Sequence, residues 1–316
     1  MQADLAAADA LCRSRGLGGL SRVQALAGGA VNGVYRALAA QAGPVVVRVN
    51  RRDPDDAKFS RERAVAALLA RVAPQVPVPE VLLVEEDPAR TPHPVHVARW
   101  IDGVAGDSPE VAARFLPHAA LGALIAGVHA VTTPHFGWPR PATGDARDRD
   151  WAAYLGDLAR RRLVDLATVN ALRPAEISAL AAWLEARLAE RQGEGRRVRP
   201  ALVHADLHWG NVLLDPRATP ARIVGLLDFE WAMGADPGAD WAWATRAVRH
   251  ATAVRRAYVG AGGTLPDGRR AALYRVVQSL EILAVAARHW GRDHPAYAGH
   301  LAILRGALGR RRERPA

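Results

Sequence analysis

Between residues 201 and 230 the chain reads ALVHADLHWGNVLLDPRATPARIVGLLDFE, and its few polar side chains stand at the ends of apolar runs. Ala201–Val203 lead into His204, Asp206 and Asn211; Val212–Leu214 are apolar again; Ile223–Leu227 lead into Asp228 and the acidic pair it opens. Short apolar runs that stop at a carboxylate or an amide describe strands that carry those groups to their ends. Phosphoryl transfer from a nucleotide asks for such a set: a carboxylate to accept the acceptor's proton, plus an amide and a second carboxylate to hold Mg2+ against the phosphates. Asp206 suits the first role. Asn211 follows across a short loop and Asp228 after a hairpin-sized gap, so both can converge on one metal. Taken singly, Asp206 and Asn211 could equally cap turns, as Asp and Asn often do.

Taken together the residues are more specific. HADLHWGN followed by LLDFE resembles the catalytic and metal-binding loops of the aminoglycoside phosphotransferase family, a branch of the protein-kinase-like fold. The resemblance implies that Asp206 is the catalytic base and that Asn211 and Asp228 are the metal ligands. The family more often carries glycine where this chain has Ala205, a small change that touches only local backbone freedom. Gly234, Asp236, Pro237 and Asp240 resemble the family's GDPxxD segment. Asp236 there reads as a helix cap and Asp240 as a buried polar tie. His204 reads as a brace for the loop, and His208 has no assigned role.

The elements that must position these groups begin upstream. Gly28, Gly29 and Asn32, in the run GGAVNGVYR, resemble the family's glycine-containing first hairpin, where bare backbone can approach phosphates. Glycine is also what any hairpin needs. Val45–Val49 is a strand, and Arg48 sits where kinase-like folds place the lysine that grips the α- and β-phosphates; arginine can fork onto the same oxygens, with a longer, planar reach. Residues 56–72 read as a helix whose stripe is Val65, Leu68, Leu69 and Val72, with Glu62 along it. A carboxylate there wants a cation: Arg48, as in the strand-to-helix ion pair of kinases, or a surface arginine beside it. Val81–Val84 and Val95–Arg99 supply two further strands, after which backbone groups near Ala98–Trp100 would meet the adenine edge.

The expected architecture is therefore α+β: a protein-kinase-like, two-lobed fold, with a small antiparallel sheet lobe and one helix over residues 1–103 and a mainly helical lobe over 104–316. Helices are expected over 109–130, 151–166 and 174–192, and the segment beyond Ala239 is expected to be helical, broken at 260–266 and 291–295. His129 reads as a hydrogen-bonded core histidine.

Composition agrees with an ordinary soluble chain. Half of the 316 residues are apolar, enough for a substantial core. No uncharged stretch approaches the roughly 20 apolar residues of a membrane span, and the first residues lack a secretory pattern. The one cysteine, Cys12, excludes an internal disulfide and fits the cytoplasm. Of 42 basic residues only Lys58 is a lysine, and the net charge is +10. The arginines are scattered and few aromatics lie between them, so solvated helix faces are expected rather than a nucleic-acid partner.

The function these readings imply is transfer of the γ-phosphoryl group of ATP or GTP, with Mg2+, to a hydroxyl of a small molecule. From Asp267 onward four acids (Asp267, Glu281, Asp293, Glu313) stand against ten arginines, which weighs mildly against a polycationic acceptor, while the middle helices offer Asp157, Asp165, Glu176 and Glu185 to one. The alternative is a kinase-like nucleotide-binding or regulatory protein without catalysis, disfavoured because Asp206, Asn211 and Asp228 are all present.

Overall fold

Valines at alternate positions drive the first part of the chain into strands. In the computed structural model, which describes residues 2–26, 32–51, 57–111, 116–190, 198–219 and 221–309, five strands form one antiparallel sheet. They are β1 (Leu20–Ala25), β2 (Asn32–Ala39), β3 (Gly43–Asn50), β4 (Val81–Glu85) and β5 (Val95–Arg99), in the order β1-β2-β3-β5-β4. Val45, Val47 and Val49 share a core with Tyr35, Ala37 and Ala39 of β2 and with Ala8, Leu11 and Cys12 of α1 (Gln2–Ser14). Because successive strand residues face opposite ways, burying these three valines turns Arg48 to the other face of β3.

The next helix, α2 (Lys58–Val72), buries Phe59, Glu62, Val65, Ala66 and Leu69. Its inner face is thus rotated from the expected stripe: Leu68 is only half-buried and Val72 is 47 % exposed. Glu62 points inward as its place along the stripe suggested, and its charge is met by Arg48. The helix expected over 109–130 is also shorter. Residues 109–111 are turn and bend, and α3 runs His118–His129. Pro117, which lacks an N–H to donate, stands just before it and offers its carbonyl to the Leu121 amide at 3.0 Å.

The described chain groups into two compact units: Met1–Val128 with His208–Ala232 and Ala251–Ala257, and His129–Leu207 with Met233–His250 and Tyr258–Ala316. Within the first, β6 (Val104–Ala105), β8 (Val212–Asp215) and β9 (Arg222–Leu226) make a second antiparallel sheet in the order β6-β8-β9. Within the other, β7 (Ala201–Val203) pairs antiparallel with β10 (Met233–Ala235), Leu202 opposite Gly234. Gly234 is needed there: a Cβ would stand 2.3 Å from the carbonyl oxygen of His135 and 2.3 Å from Oγ1 of Thr133.

The same unit holds α4 (Trp151–Thr168), α5 (Pro174–Ala189), α6 (Pro237–Trp243), α7 (Arg246–Arg249), α9 (Gly268–Val285) and α10 (Pro295–Gly309), and α8 (Thr252–Gly260) ends in it. Carboxylate caps start three of these helices: Asp150 accepts from the Ala152 amide at 2.9 Å, Asp236 from Gly238 at 2.7 Å and Asp267 from Arg270 at 2.8 Å. The expected breaks near Gly260 and Gly291 fall between α8 and α9 and between α9 and α10. A core of Leu155, Leu166, Leu180, Leu280 and Leu283 closes around Trp151, Trp183 and Tyr274. The buried polar ends are partnered, Trp151 Nε1 donating to the Tyr274 hydroxyl at 3.0 Å and that hydroxyl to Asp236 at 2.6 Å. Among the described residues no helix is long and apolar enough to cross a membrane.

Candidate active site

Asp206 stands on a loop that β7 delivers and α6 braces. The β7–β10 pairing leads residue 235 into Asp236, which caps α6. One turn on, Asp240 is completely buried and accepts from the backbone amides of His204 and Ala205, each at 2.8 Å. The same carboxylate meets Nε2 of His129 at 2.9 Å, and Nδ1 of that ring meets the Tyr258 hydroxyl at 2.9 Å. Burial by itself would raise the pKa of Asp240; the hydrogen bond and charge of His129, then His204 and its amide, outweigh it and hold the carboxyl below its ordinary value. Asp236 and Asp240 therefore take the cap and tie positions expected of a GDPxxD-like segment, and His129 is a core histidine with two partners.

Ala205 has φ +67°, a left-handed conformation uncommon for a residue with a Cβ. The Asp206 amide donates to Nδ1 of His204 at 3.3 Å, so His204 holds the loop by its ring as well as its backbone. His208 accepts from the Gly210 amide at 3.1 Å and thereby caps the single 3-10 turn Trp209–Asn211.

Asn211 and Asp228 lie at the same end of the β8–β9 hairpin. Val212 pairs with Leu226, and the Leu227 amide donates to the Asn211 carbonyl at 2.8 Å, which brings the two positions to adjoining strand ends. Asn211 is buried. Asp228 has φ +62°, so two of the candidate residues stand in or next to left-handed backbone.

Arg48 is the hub of a buried charge cluster in this unit. Its Nη1 donates to Oε2 of Glu62 at 2.6 Å, its Nη2 contacts Oε1 of Glu230, and Oδ1 of Asp228 lies 3.6 Å from Nη2. The expected pairing of Arg48 with Glu62 is thus present, and Glu230 joins it. Burial would lower the pKa of Arg48, but Glu62, Glu230 and Asp228 together raise it. Burial pushes the Glu230 carboxyl up to about 7, with Asp228 adding to the effect against the pull of Arg48. The Phe59 ring underlies the guanidinium at 5.1 Å, and Lys58 stands 5.4 Å over the Trp231 ring. His96, opposite Arg48 in the β3–β5 register, is buried; burial and then the charges of Arg48 and Arg63 drive its pKa well down, leaving the ring neutral.

Glu62 and Glu230 are committed to Arg48, so the carboxylate of this cluster that fits a divalent cation is Asp228. Oδ1 of Asp228 is buried and has no hydrogen-bond partner among the described residues, and one carboxylate oxygen each of Glu62, Asp228 and Glu230 lie within 4.8 Å of one another. Hard oxygen donors in a cluster with more carboxylates than cations are what Mg2+ takes. Of the other candidates, Gly28 and Gly29 lie outside the described residues, and Asn32 enters β2 opposite Asn50. Trp100 donates its amide to the Pro44 carbonyl at 3.0 Å and its Nε1 to Asp102 at 2.8 Å, with Arg36 4.5 Å over the ring. The backbone amide of Trp100 is thus already engaged. Glu230 and Lys58 were not legible as site residues: Glu230 meets Arg48 across 182 residues, and the only sequence signal was its place two residues after Asp228.

Known proteins place this geometry in a family. The chain matches no curated protein sequence. Among solved structures, a Thermobifida fusca protein assigned as a fructosamine-3-kinase is 22 % identical, with 94 % of this chain and 98 % of that one covered and a TM-score of 0.64. A thermostable mutant of the aminoglycoside phosphotransferase APH(4)-Ia, in ternary complex with ADP and hygromycin B, is 21 % identical over 97 % of this chain and 98 % of that one, TM-score 0.64. The GDP and kanamycin complex of APH(2")-IIIa is 17 % identical over 92 % and 94 %, TM-score 0.62. At these identities the likeness speaks for the fold, α+β and kinase-like. The model of the phosphotransferase enzyme family matches residues 22–274, which is most of the length and takes in β2 to β10 and the loops of Asp206 and Asp228, and the chain belongs to that family.

Proposed function

We propose that the protein is a small-molecule kinase that transfers the γ-phosphoryl group of ATP or GTP to a hydroxyl of a small acceptor. The observation that carries the reading is the Asp228 carboxylate, held in left-handed backbone with a buried oxygen lacking a hydrogen-bond partner among the described residues, beside an arginine already locked to Glu62. In this reading residues 1–103 bind the nucleotide, and 104–316 carry the catalytic and metal-binding residues and the acceptor. The Gly28, Gly29 and Asn32 segment and Arg48 meet the phosphates, Glu62 holds Arg48, and Trp100 meets the base. Asn211 and Asp228 would hold Mg2+, whose charge screens the phosphate oxygens when bound. Asp206 orients the acceptor hydroxyl and takes its proton as the oxygen bonds to the γ-phosphorus and the nucleoside diphosphate leaves. Both ADP and GDP occur in complexes of structurally similar enzymes, so both nucleotides belong in the assay.

The test is a screen of small alcohols for acceptor-stimulated release of ADP or GDP, repeated with Asp206→Ala. Loss of the base should cut turnover by about 100-fold or more with nucleotide binding kept. Turnover unchanged in the variant would remove Asp206 from this role, and release that no acceptor stimulates would favour a nucleotide-binding protein without transfer.

A further inference from the structure

We propose that Glu230 is a positioning residue for nucleotide binding, which together with Glu62 clamps the two terminal nitrogens of Arg48 and so fixes the plane of the guanidinium. The inference rests on the reading that Arg48 meets the nucleotide phosphates. Glu62 takes Nη1 at 2.6 Å from α2, and Glu230 takes Nη2 from the segment after β9, so the fork is gripped at both tips by different elements. Phe59, 5.1 Å beneath, fixes the face of the plane. A guanidinium has five N–H donors, and the two committed here leave others directed by the clamp. This arrangement also accounts for arginine at a position where kinase-like folds place lysine. An ammonium is a point charge with no plane to clamp, and it would leave one of two buried carboxylates without a fork to bind.

The opposite relation, in which Glu230 competes with the phosphates for Arg48 and swings away, is disfavoured by burial. The side chains of Arg48, Glu62 and Glu230 are only 12 %, 8 % and 8 % exposed. A Glu230 that released Arg48 would remain in that interior beside the charges of Asp228 and Glu62, whose carboxylate oxygens lie within 4.8 Å of its own, and would exchange the guanidinium contact for the weaker pull of Lys58. Keeping the contact costs less than breaking it, so nucleotide should bind to an Arg48 still held at both ends.

The experiment measures ADP and GDP binding by titration calorimetry, in Mg2+ and in EDTA, for the wild type, Glu230→Gln, Glu230→Ala, Arg48→Lys and Arg48→Lys with Glu230→Gln, together with Tm for each. Glu230→Gln, which keeps an acceptor oxygen but not its charge, should weaken binding by about tenfold in both media, and Glu230→Ala by more. In turnover assays the nucleotide KM should rise and the acceptor KM should not. Once Arg48 is lysine, the added Glu230→Gln change should cost no further affinity and should recover part of the lost Tm, because it neutralises the carboxylate left unpaired. Binding that is unchanged or tighter in Glu230→Gln overturns the proposal, as does a loss confined to Mg2+, which would put Glu230 on the cation, or additive effects of the two changes. If the wild type binds neither nucleotide, the kinase reading falls; the Tm cycle still decides the clamp, since additive Tm losses refute it and recovery supports it.

Discussion

Replacing Asp240 by asparagine tests how the loop of Asp206 is held. The wild-type carboxylate receives three donors in a site with no solvent exposure: the His204 and Ala205 amides at 2.8 Å each and Nε2 of His129 at 2.9 Å. Asparagine keeps one oxygen, which can serve the His204 amide and His129, while its NH2 then faces the Ala205 amide, donor against donor. An orphaned buried amide costs about 1–3 kcal/mol, and the two surviving bonds fall from charge-assisted to neutral strength, roughly 1 kcal/mol each. The sum is about 3–5 kcal/mol, the range seen when one partner of a buried ion pair is removed. That is a large part of the roughly 5–15 kcal/mol that keeps a domain folded. Urea unfolding at pH 7 should show the midpoint falling with the slope unchanged, and Asp240→Ala should cost at least as much. The pH dependence follows from the depressed pKa of the carboxyl. Its contribution is present above the unfolded value near 3.9 and is lost as pH falls through the lower folded value, so wild type and variant should converge in acid and differ most at neutral pH. A loss under about 1 kcal/mol at pH 7 would refute the account of Asp240 as the support of residues 204–206.

Two further outcomes follow from local geometry. Ala205→Gly should stabilise the protein by up to about 1 kcal/mol, because φ +67° penalises a Cβ and not glycine; a clear loss of thermal stability would show that the Ala205 methyl group has packing worth more than the strain. Glu176 is drawn down to about 2, first by the side chain and amide of Arg173 and then by Arg305. Its stabilising contribution should be complete above about pH 4.5 and vanish towards pH 2, so Glu176→Gln should show a smaller fall in urea midpoint between pH 7 and pH 3 than the wild type. Equal falls would mean that the carboxyl is unperturbed.

Particular residues show where reading the chain succeeded. Alternating valines in β3 and β5 announce strands because a pleated, half-buried surface has period two, and the strand ends at Asn211 and Asp228 were visible where the apolar runs stop. Asp236 and Asp240 were readable as cap and tie because their segment resembles the family's GDPxxD, which opens a helix. The short strands β6 and β10 were not, since two or three residues carry no period and pair only because β8 and β7 are there to receive them. The inner face of α2 was legible in part: Glu62, Val65 and Leu69 are buried as their spacing suggests, while Leu68 and Val72 fit the same apolar stripe and lie at its outer edge.

The candidate site divides along the same line. The order of residue types by itself determined where the candidate groups stand: carboxylates and an amide at strand ends, a strand arginine and a helix glutamate, with their roles implied by the resemblance to the family. Tertiary structure alone decided how charges are shared, because burial and distance depend on segments far apart in the chain. It put Glu230 on Arg48 from 182 residues away, set the lone lysine over Trp231, and buried Asp240 under the amides of residues 204 and 205. Coulomb and hydrogen-bond energies follow separation in space, which a linear pattern does not record.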